Sequence, residues 1–316
     1  MDNTVATLWG EKRYHSLNYY LQSMYHEKVY RLSLDAGMSC PNRDGTLGTT
    51  GCIFCSAGGS GDFASSSALS IPMQLADAKA RIHKKVNCHK YIAYFQAYTN
   101  TYAPIDYLEQ VYMQAVNDPD VVILSIATRP DCLNSEILSL LARIHALKPV
   151  WIELGLQTIH DDSRNFVRSG FSYDVFLSAV AALNQLHIPV IVHLILGLPG
   201  ETKQMMLESV TAIAHLPIWG IKLQLLHVLQ NTALASYYEA RPFSIFSLEA
   251  YCELVIDCME LIPKQMVIHR MTGDGPRDLL IAPLWSTDKK KVLNRIHKRL
   301  QERNTYQGRL YTPDIL

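Results

Sequence analysis

Short apolar runs alternate with longer amphipathic segments from Val29 to Leu226, and few architectures accept that rhythm. The spacing predicts strands at Val29–Leu34, Tyr91–Gln96, Val121–Ala127, Val150–Leu156, Pro189–Leu196 and Ile218–Leu226. It predicts helices from roughly Met73 to Val86 and near Ile105–Val116, Asn134–Leu147, Tyr173–Leu186 and Lys203–His215. Strands that are apolar at nearly every position have two faces to cover, so they belong to a parallel sheet joined by helical crossovers. Six such βα units make an α/β fold and are too few to close an eight-stranded barrel. An open, partial barrel or a doubly wound sheet remains, and in either the chemistry belongs at the carboxyl ends of the strands.

Residues 1–28 read as an N-terminal helical extension, because Tyr14, Leu17, Leu21 and Met24 recur at helical intervals within Glu11–Glu27. Residues 29–235 form the core. Residues 236–316 form a small C-terminal α/β extension, with a helix near Leu248–Leu261, a further strand at Met266–Met271 and a basic helix beginning near Thr287. Gly58–Gly61 and Ser65–Ser67 read as flexible connection. With 316 residues, 48% of them hydrophobic, the chain can bury one large core and carry a modest appendage. No apolar run approaches the roughly 18 residues of a membrane span, and Met1–Thr4 lacks the basic start of a secretory signal. A cytoplasmic protein with no membrane partner is therefore expected. Seven cysteines, an odd number, argue for reduced thiols rather than a disulfide framework.

Three of those thiols share one glycine-punctuated loop after the first strand, Cys40-Pro-Asn-Arg-Asp-Gly-Thr-Leu-Gly-Thr-Thr-Gly-Cys52-Ile-Phe-Cys55. An iron–sulfur cluster or a structural zinc normally takes four protein ligands, and only three are local. The loop is either an open metal site or a zinc site completed by a distant histidine such as His26 or His89. Cys88, Cys132, Cys252 and Cys258 are scattered and read as buried thiols. Gly197-Leu-Pro-Gly200 lacks the Lys-Ser/Thr ending of a phosphate loop and reads as a sharp strand-to-helix turn. Tyr91, Tyr94, Tyr98 and Tyr102 could stack on a base, although packing is the commoner use. Gln96–Tyr102, Ala127–Asp131, Gly155–Gln157 and His193–Thr202 all fall at strand ends with the cysteine loop, the pattern of one site assembled from several βα loops.

Together with that loop, Thr128-Arg-Pro-Asp131, Leu154-Gly-Leu-Gln157, Leu196-Gly-Leu-Pro-Gly-Glu-Thr202, Gly273-Asp-Gly-Pro-Arg277 and Ala282-Pro-Leu-Trp285 carry a resemblance over most of the chain. The sequence resembles radical S-adenosylmethionine (SAM) enzymes, in particular the YhcC-like branch related to the radical SAM domain of the elongator catalytic subunit. That branch lengthens the gap between the first two cysteines, as here. The resemblance implies a partial (βα)6 TIM barrel in which Cys40, Cys52 and Cys55 hold a [4Fe–4S] cluster. SAM would bind the remaining iron and be cleaved reductively to a 5′-deoxyadenosyl radical. It implies that Phe54 lies beside the adenine and that Gln157, Arg168 and His193 contact SAM, Arg168 by a planar fork suited to a carboxylate. The sequence departs from the family where a glycine-rich acidic turn is replaced by Gln96-Ala-Tyr-Thr-Asn100 and a common glutamate by Ala127. Gln96, Asn100 and Thr128 are therefore expected to supply the missing contacts.

Within that branch the chain resembles the MnmL family, which implies conversion of 5-carboxymethylaminomethyluridine to 5-aminomethyluridine at the tRNA wobble position. A tRNA substrate and an electron donor such as flavodoxin or ferredoxin are the implied partners. Formal net charge is zero, yet Lys289, Lys290, Lys291, Arg295, Lys298, Arg299 and Arg303 are opposed locally only by Asp288 and Glu302. That surface is either a solvated helix face or a site for RNA phosphates. The alternatives are a radical SAM enzyme acting on a small molecule or a protein, and a metal-stabilised RNA-binding module without catalysis.

Overall fold

The computed structural model describes residues 8–59, 64–273 and 275–313. Met1–Thr4, Ser60 and Gly61 of the expected connection, and Asp274 of the Gly273–Arg277 phrase lie outside them. The strands are β1 (Val29–Leu34), β2 (Lys90–Phe95), β3 (Val121–Thr128), β4 (Val150–Gln157), β5 (Val190–Leu196), β6 (Gly220–Leu225), β7 (Val228–Leu229), β8 (Val267–Arg270) and β9 (Leu280–Ala282). The helices are α1 (Leu17–Tyr25), α2 (Ile71–His83), α3 (Ile105–Val116), α4 (Ser135–Leu147), α5 (Asp161–Phe166), α6 (Tyr173–Gln185), α7 (Lys203–Ala214), α8 (Ala233–Ala240), α9 (Leu248–Leu261) and α10 (Lys289–Glu302). None of the described helices is long and apolar enough to cross a membrane.

The main sheet runs β1-β2-β3-β4-β5-β6-β8, every pairing parallel, and curls into a half-barrel. All six strands expected of the βα units are present. The strand expected near Met266 joins the same sheet as its seventh member, with Val267 and Ile268 in register with Gly220 and Ile221. The first helix starts at Leu17 rather than Glu11, because the Ser16 side chain accepts from the Tyr19 N–H and caps it there. The second starts at Ile71, two residues early, since Pro72 fits the first turn, where an amide N–H has no helical partner. Helices α5 and α8 were not anticipated; at 6 and 8 residues they are too short to show a period.

Alternation along each strand separates two environments. Tyr91, Ala93, Phe95, Leu124, Ile126, Ile152, Leu154, Val190 and Val192 face outward into the core shared with the helices. The residues of opposite parity face inward and change character along the barrel axis. At the amino ends Ile92, Ile123, Trp151 and Ile191 pack with Leu21 of α1, joined by Tyr20 and Trp219, whose rings lie 5.0 Å apart. Helix α1 thus plugs one mouth of the half-barrel with apolar bulk; each fully buried side chain of this size contributes roughly 1.5–3 kcal/mol. Polar residues take over further along, and the other mouth remains for the loops.

Side-chain caps fix where the crossover helices leave those loops. Asn134, Ser172 and Thr202 accept from Ile137, Val175 and Met205 N–H groups, each worth about 1 kcal/mol. Near the C-terminus, β7 and β9 form a small antiparallel pair and α10 packs on α9. Val292, Ile296 and Leu300 form the buried stripe of α10. The local charge count for this helix misses its neighbour: Arg295, Arg299 and Arg303 pair with Glu249, Glu253 and Asp257 on α9, the Arg303–Asp257 contact being 2.8 Å. Lys289, Lys290, Lys291 and Lys298 are exposed.

Candidate active site

The loop between β1 and α2 returns on itself through backbone bonds. Cys40 O accepts from Arg43 N–H at 2.8 Å, Pro41 O from Leu47 N–H at 2.8 Å and Asn42 O from Gly51 N–H at 2.7 Å. Gly51 has φ +75, and a Cβ there would sit 2.8 Å from Arg43 Nε, so only glycine leaves room for that side chain. Arg43 crosses beneath the loop, donates to Ser56 O at 2.6 Å and lies over the Tyr98 ring. These contacts turn Cys40, Cys52 and Cys55 toward a common cavity of about 260 Å³ at the carboxyl ends of the strands. The neighbouring Cys55 thiol, helped by Asn42 and the charges of Arg129 and Arg43, brings the Cys52 pKa down to about 6. The neighbouring Cys52 thiol and then desolvation push Cys55 up.

Glu153 of β4 forms the cavity's polar floor and is wholly buried. It accepts from Ser125 Oγ at 2.7 Å and from His193 Nε2 at 2.7 Å, meets the Lys222 ammonium of β6, and has Arg31 at 3.7 Å. Burial alone would raise its carboxyl, but Lys222 and then Arg31 hold it well below the ordinary range. Burial and the nearby Lys222 charge push His193 down to about 4, so the ring is neutral. With Nε2–H committed to Glu153, Nδ1 is left as an acceptor.

Of the residues singled out from sequence, Cys40, Cys52, Cys55, Phe54, Gln96, Thr128, Gln157 and His193 line this one cavity. Gln157 has φ +69 and folds back over Gly155, where a Cβ would lie 2.8 Å from its Nε2. Thr128 Oγ1 shares a 2.6 Å hydrogen bond with Thr101 Oγ1. Two residues are elsewhere. The Asn100 amide donates to Ala127 O at 3.0 Å, inside the protein, and the exposed Arg168 side chain bonds Thr50 Oγ1 at 2.8 Å. Tyr94 and Tyr98 of the four tyrosines also line it, and Glu153, Lys222 and Arg129 do so without having been assigned a role from sequence. A lone charge within an apolar strand, as in Trp151-Ile-Glu153-Leu154 and Ile221-Lys222-Leu223, was the available signal, since such a charge must be paired. Cys88, Cys252 and Cys258 are buried, and Cys132 is partly exposed.

The zinc alternative called for a distant histidine such as His26 or His89. His26 caps the C-terminus of α1 at the plugged mouth, and His89 precedes β2, a strand length of about 20 Å from the cysteine loop. Among the described residues no three His, Cys, Asp or Glu side chains gather closely enough for one ion. Cys40, Cys52 and Cys55, bordering one cavity, are a thiol set that fits an iron–sulfur cluster.

Residues 44–213 match the model of the Radical SAM superfamily, and residues 218–302 that of the Radical_SAM C-terminal domain. YtqA of Bacillus subtilis (strain 168) is 44% identical over 301 residues, 95% of this chain and 94% of that protein. YhcC of Escherichia coli (strain K12) is 34% identical over 294 residues, 93% of this chain and 94% of that protein. A tRNA uridine(34) acetyltransferase of Methanocaldococcus jannaschii is 23% identical over 163 residues, 51% of this chain but 30% of that protein. Among solved structures, Methanocaldococcus infernus Elp3 with residues 1–46 deleted shares the fold at TM-score 0.68 and 16% identity, over 88% of this chain. The chain spans 64% of that Elp3 chain, just under two thirds.

Proposed function

The chain belongs to the radical SAM superfamily, and from that premise we propose that it modifies a tRNA wobble uridine, converting 5-carboxymethylaminomethyluridine to 5-aminomethyluridine. The family implies SAM and a [4Fe–4S] cluster, for which Cys40, Cys52 and Cys55 are the fitting thiolates. When bound, these cofactors supply one-electron cleavage of SAM and a 5′-deoxyadenosyl radical that takes a hydrogen atom from the substrate. The residues position and seclude the reactants. Phe54, Ile195 and Leu226 give the cavity apolar walls beside the cysteines. His193 Nδ1 accepts a ligand N–H or O–H, and Gln157 and Thr128 add polar contacts from the same rim. With the α1 end plugged, ligands enter from the loop side, where an electron donor such as flavodoxin or ferredoxin would also dock.

The substrate reading rests on the half-chain likeness to a tRNA uridine(34) acetyltransferase, which by its name acts on the wobble uridine of tRNA. The exposed lysines Lys289, Lys290, Lys291 and Lys298 supply charge for the RNA backbone. The test is transfer of deuterium from the glycine-derived methylene of modified tRNA into 5′-deoxyadenosine. The expected result is tRNA-dependent labelled product together with 5-aminomethyluridine. Reductive SAM cleavage with no label from any tRNA would overturn the RNA substrate and leave a radical SAM enzyme acting on a small molecule or a protein.

A further inference from the structure

Asn42, two residues after Cys40, is buried at 5% exposure, and its side chain points into the cysteine loop rather than into solvent. Its Nδ2 is 2.7 Å from Arg168 O, 3.4 Å from Ser169 O and 3.3 Å from Cys52 Sγ. Two carbonyl oxygens face this end of the amide, so the end is the NH₂ group and not the oxygen. One hydrogen is spent on Arg168 O, the shorter bond, and the other is directed at the sulfur. The surroundings hold that orientation. Asn42 O accepts from Gly51 N–H at 2.7 Å, tying the residue to the backbone just before Cys52. Arg168 and Gly170 have φ +60 and +79, and that turn presents the two carbonyls; a Cβ on Gly170 would lie 3.0 Å from Asn42 Oδ1. Arg168 thus meets the site through its backbone, while its guanidinium faces away.

We infer that Asn42 is a positioning residue of the iron–sulfur centre, whose amide donates an N–H···S hydrogen bond to Cys52 and thereby makes the cluster easier to reduce. The inference rests on the reading of Cys52 as a cluster ligand. Reduction adds a negative charge that spreads onto the cysteine sulfurs, so a fixed donor stabilises the reduced form more than the oxidised form. Hydrogen bonds to the sulfurs are among the terms that set a cluster's potential. A donor held by two carbonyls and a buried backbone does not need to reorganise when the electron arrives.

Asn42→Leu keeps the approximate size and removes the donor. The test is an anaerobic redox titration of the reconstituted full-length protein by EPR, with iron content measured on each sample. The expected result is unchanged iron and about a tenfold smaller reduced-to-oxidised ratio at fixed ambient potential, a midpoint about 59 mV more negative for one electron. Equal midpoints at equal iron content would overturn the inference. Because Asn42→Leu could fail to take up iron, the wild-type cluster is also examined in the reduced state by pulsed EPR after ¹⁵N-asparagine labelling and D₂O exchange. A ¹⁵N coupling together with an exchangeable deuteron supports the bond, and absence of the ¹⁵N coupling overturns it whatever the variant does. Wild-type protein that binds no iron would sink the cluster reading itself, an outcome distinct from iron-bound protein with an unmoved potential.

Discussion

Replacing Lys222 by Met should expose how the cavity floor is held together. Glu153 is completely buried, and Lys222 is the charge closest to it; Arg31 at 3.7 Å and the His193 and Ser125 hydrogen bonds remain after the change. Removing one partner of a buried ion pair costs about 3–5 kcal/mol, because the other charge is left without its counterion. The cost should depend on pH through His193. In the wild type its folded value, about 4, lies below the unfolded 6.5. The unfolded chain therefore takes up a proton first as pH falls. Stability present above pH 6.5 is lost progressively toward pH 4, by about 3 kcal/mol from this residue. Without the Lys222 charge, the His193 value rises and the ring can be protonated beside Glu153. Lys222→Met should thus be most damaging near pH 8 and lose less than the wild type between about pH 8 and about pH 5. Urea titration read by pulse proteolysis at the two pH values checks this. Parallel losses, or a Lys222→Met/Glu153→Gln double variant less stable than Lys222→Met at about pH 8, would refute the reasoning.

Gly51→Ala should lower iron per chain after anaerobic reconstitution, since φ +75 and a Cβ 2.8 Å from Arg43 Nε force the loop or that arginine to move. Gly220→Ala should instead destabilise by about 1–3 kcal/mol with iron content intact, because its Cβ would meet His269 Nε2 at 2.7 Å, away from the cysteines; a drop in iron would contradict the separation of the two regions. Lys290→Glu combined with Lys291→Glu should weaken tRNA association and flatten its salt dependence. Arg299→Glu should chiefly destabilise the α9–α10 contact, where Arg299 meets Glu253 at 2.5 Å. Identical tRNA binding by all these variants would make the helix a solvated face.

Which features could be read from the sequence follows from how local their causes are. The strands β2 to β6 were visible because both faces of each are buried, so hydrophobicity alone marks them. The cysteine loop was visible because ligand spacing is written along one segment. The charged floor was not, because it joins Arg31, Ser125, Glu153, His193 and Lys222, one residue from each of five strands, whose shared inward parity appears only once the sheet has a register. The pairing of the basic helix was hidden for the same reason: Arg295 and Arg299 stand 46 residues from the carboxylates that pair with them. Arg168 is the sharpest case. The family resemblance implied a guanidinium fork for a SAM carboxylate, yet the sequence cannot show that the backbone there turns left-handed and directs the side chain to Thr50. What that turn delivers to the site is a carbonyl oxygen, and through it the orientation of Asn42 against Cys52. A residue beside a functional motif can therefore act through its backbone, which no substitution of its side chain alone would remove.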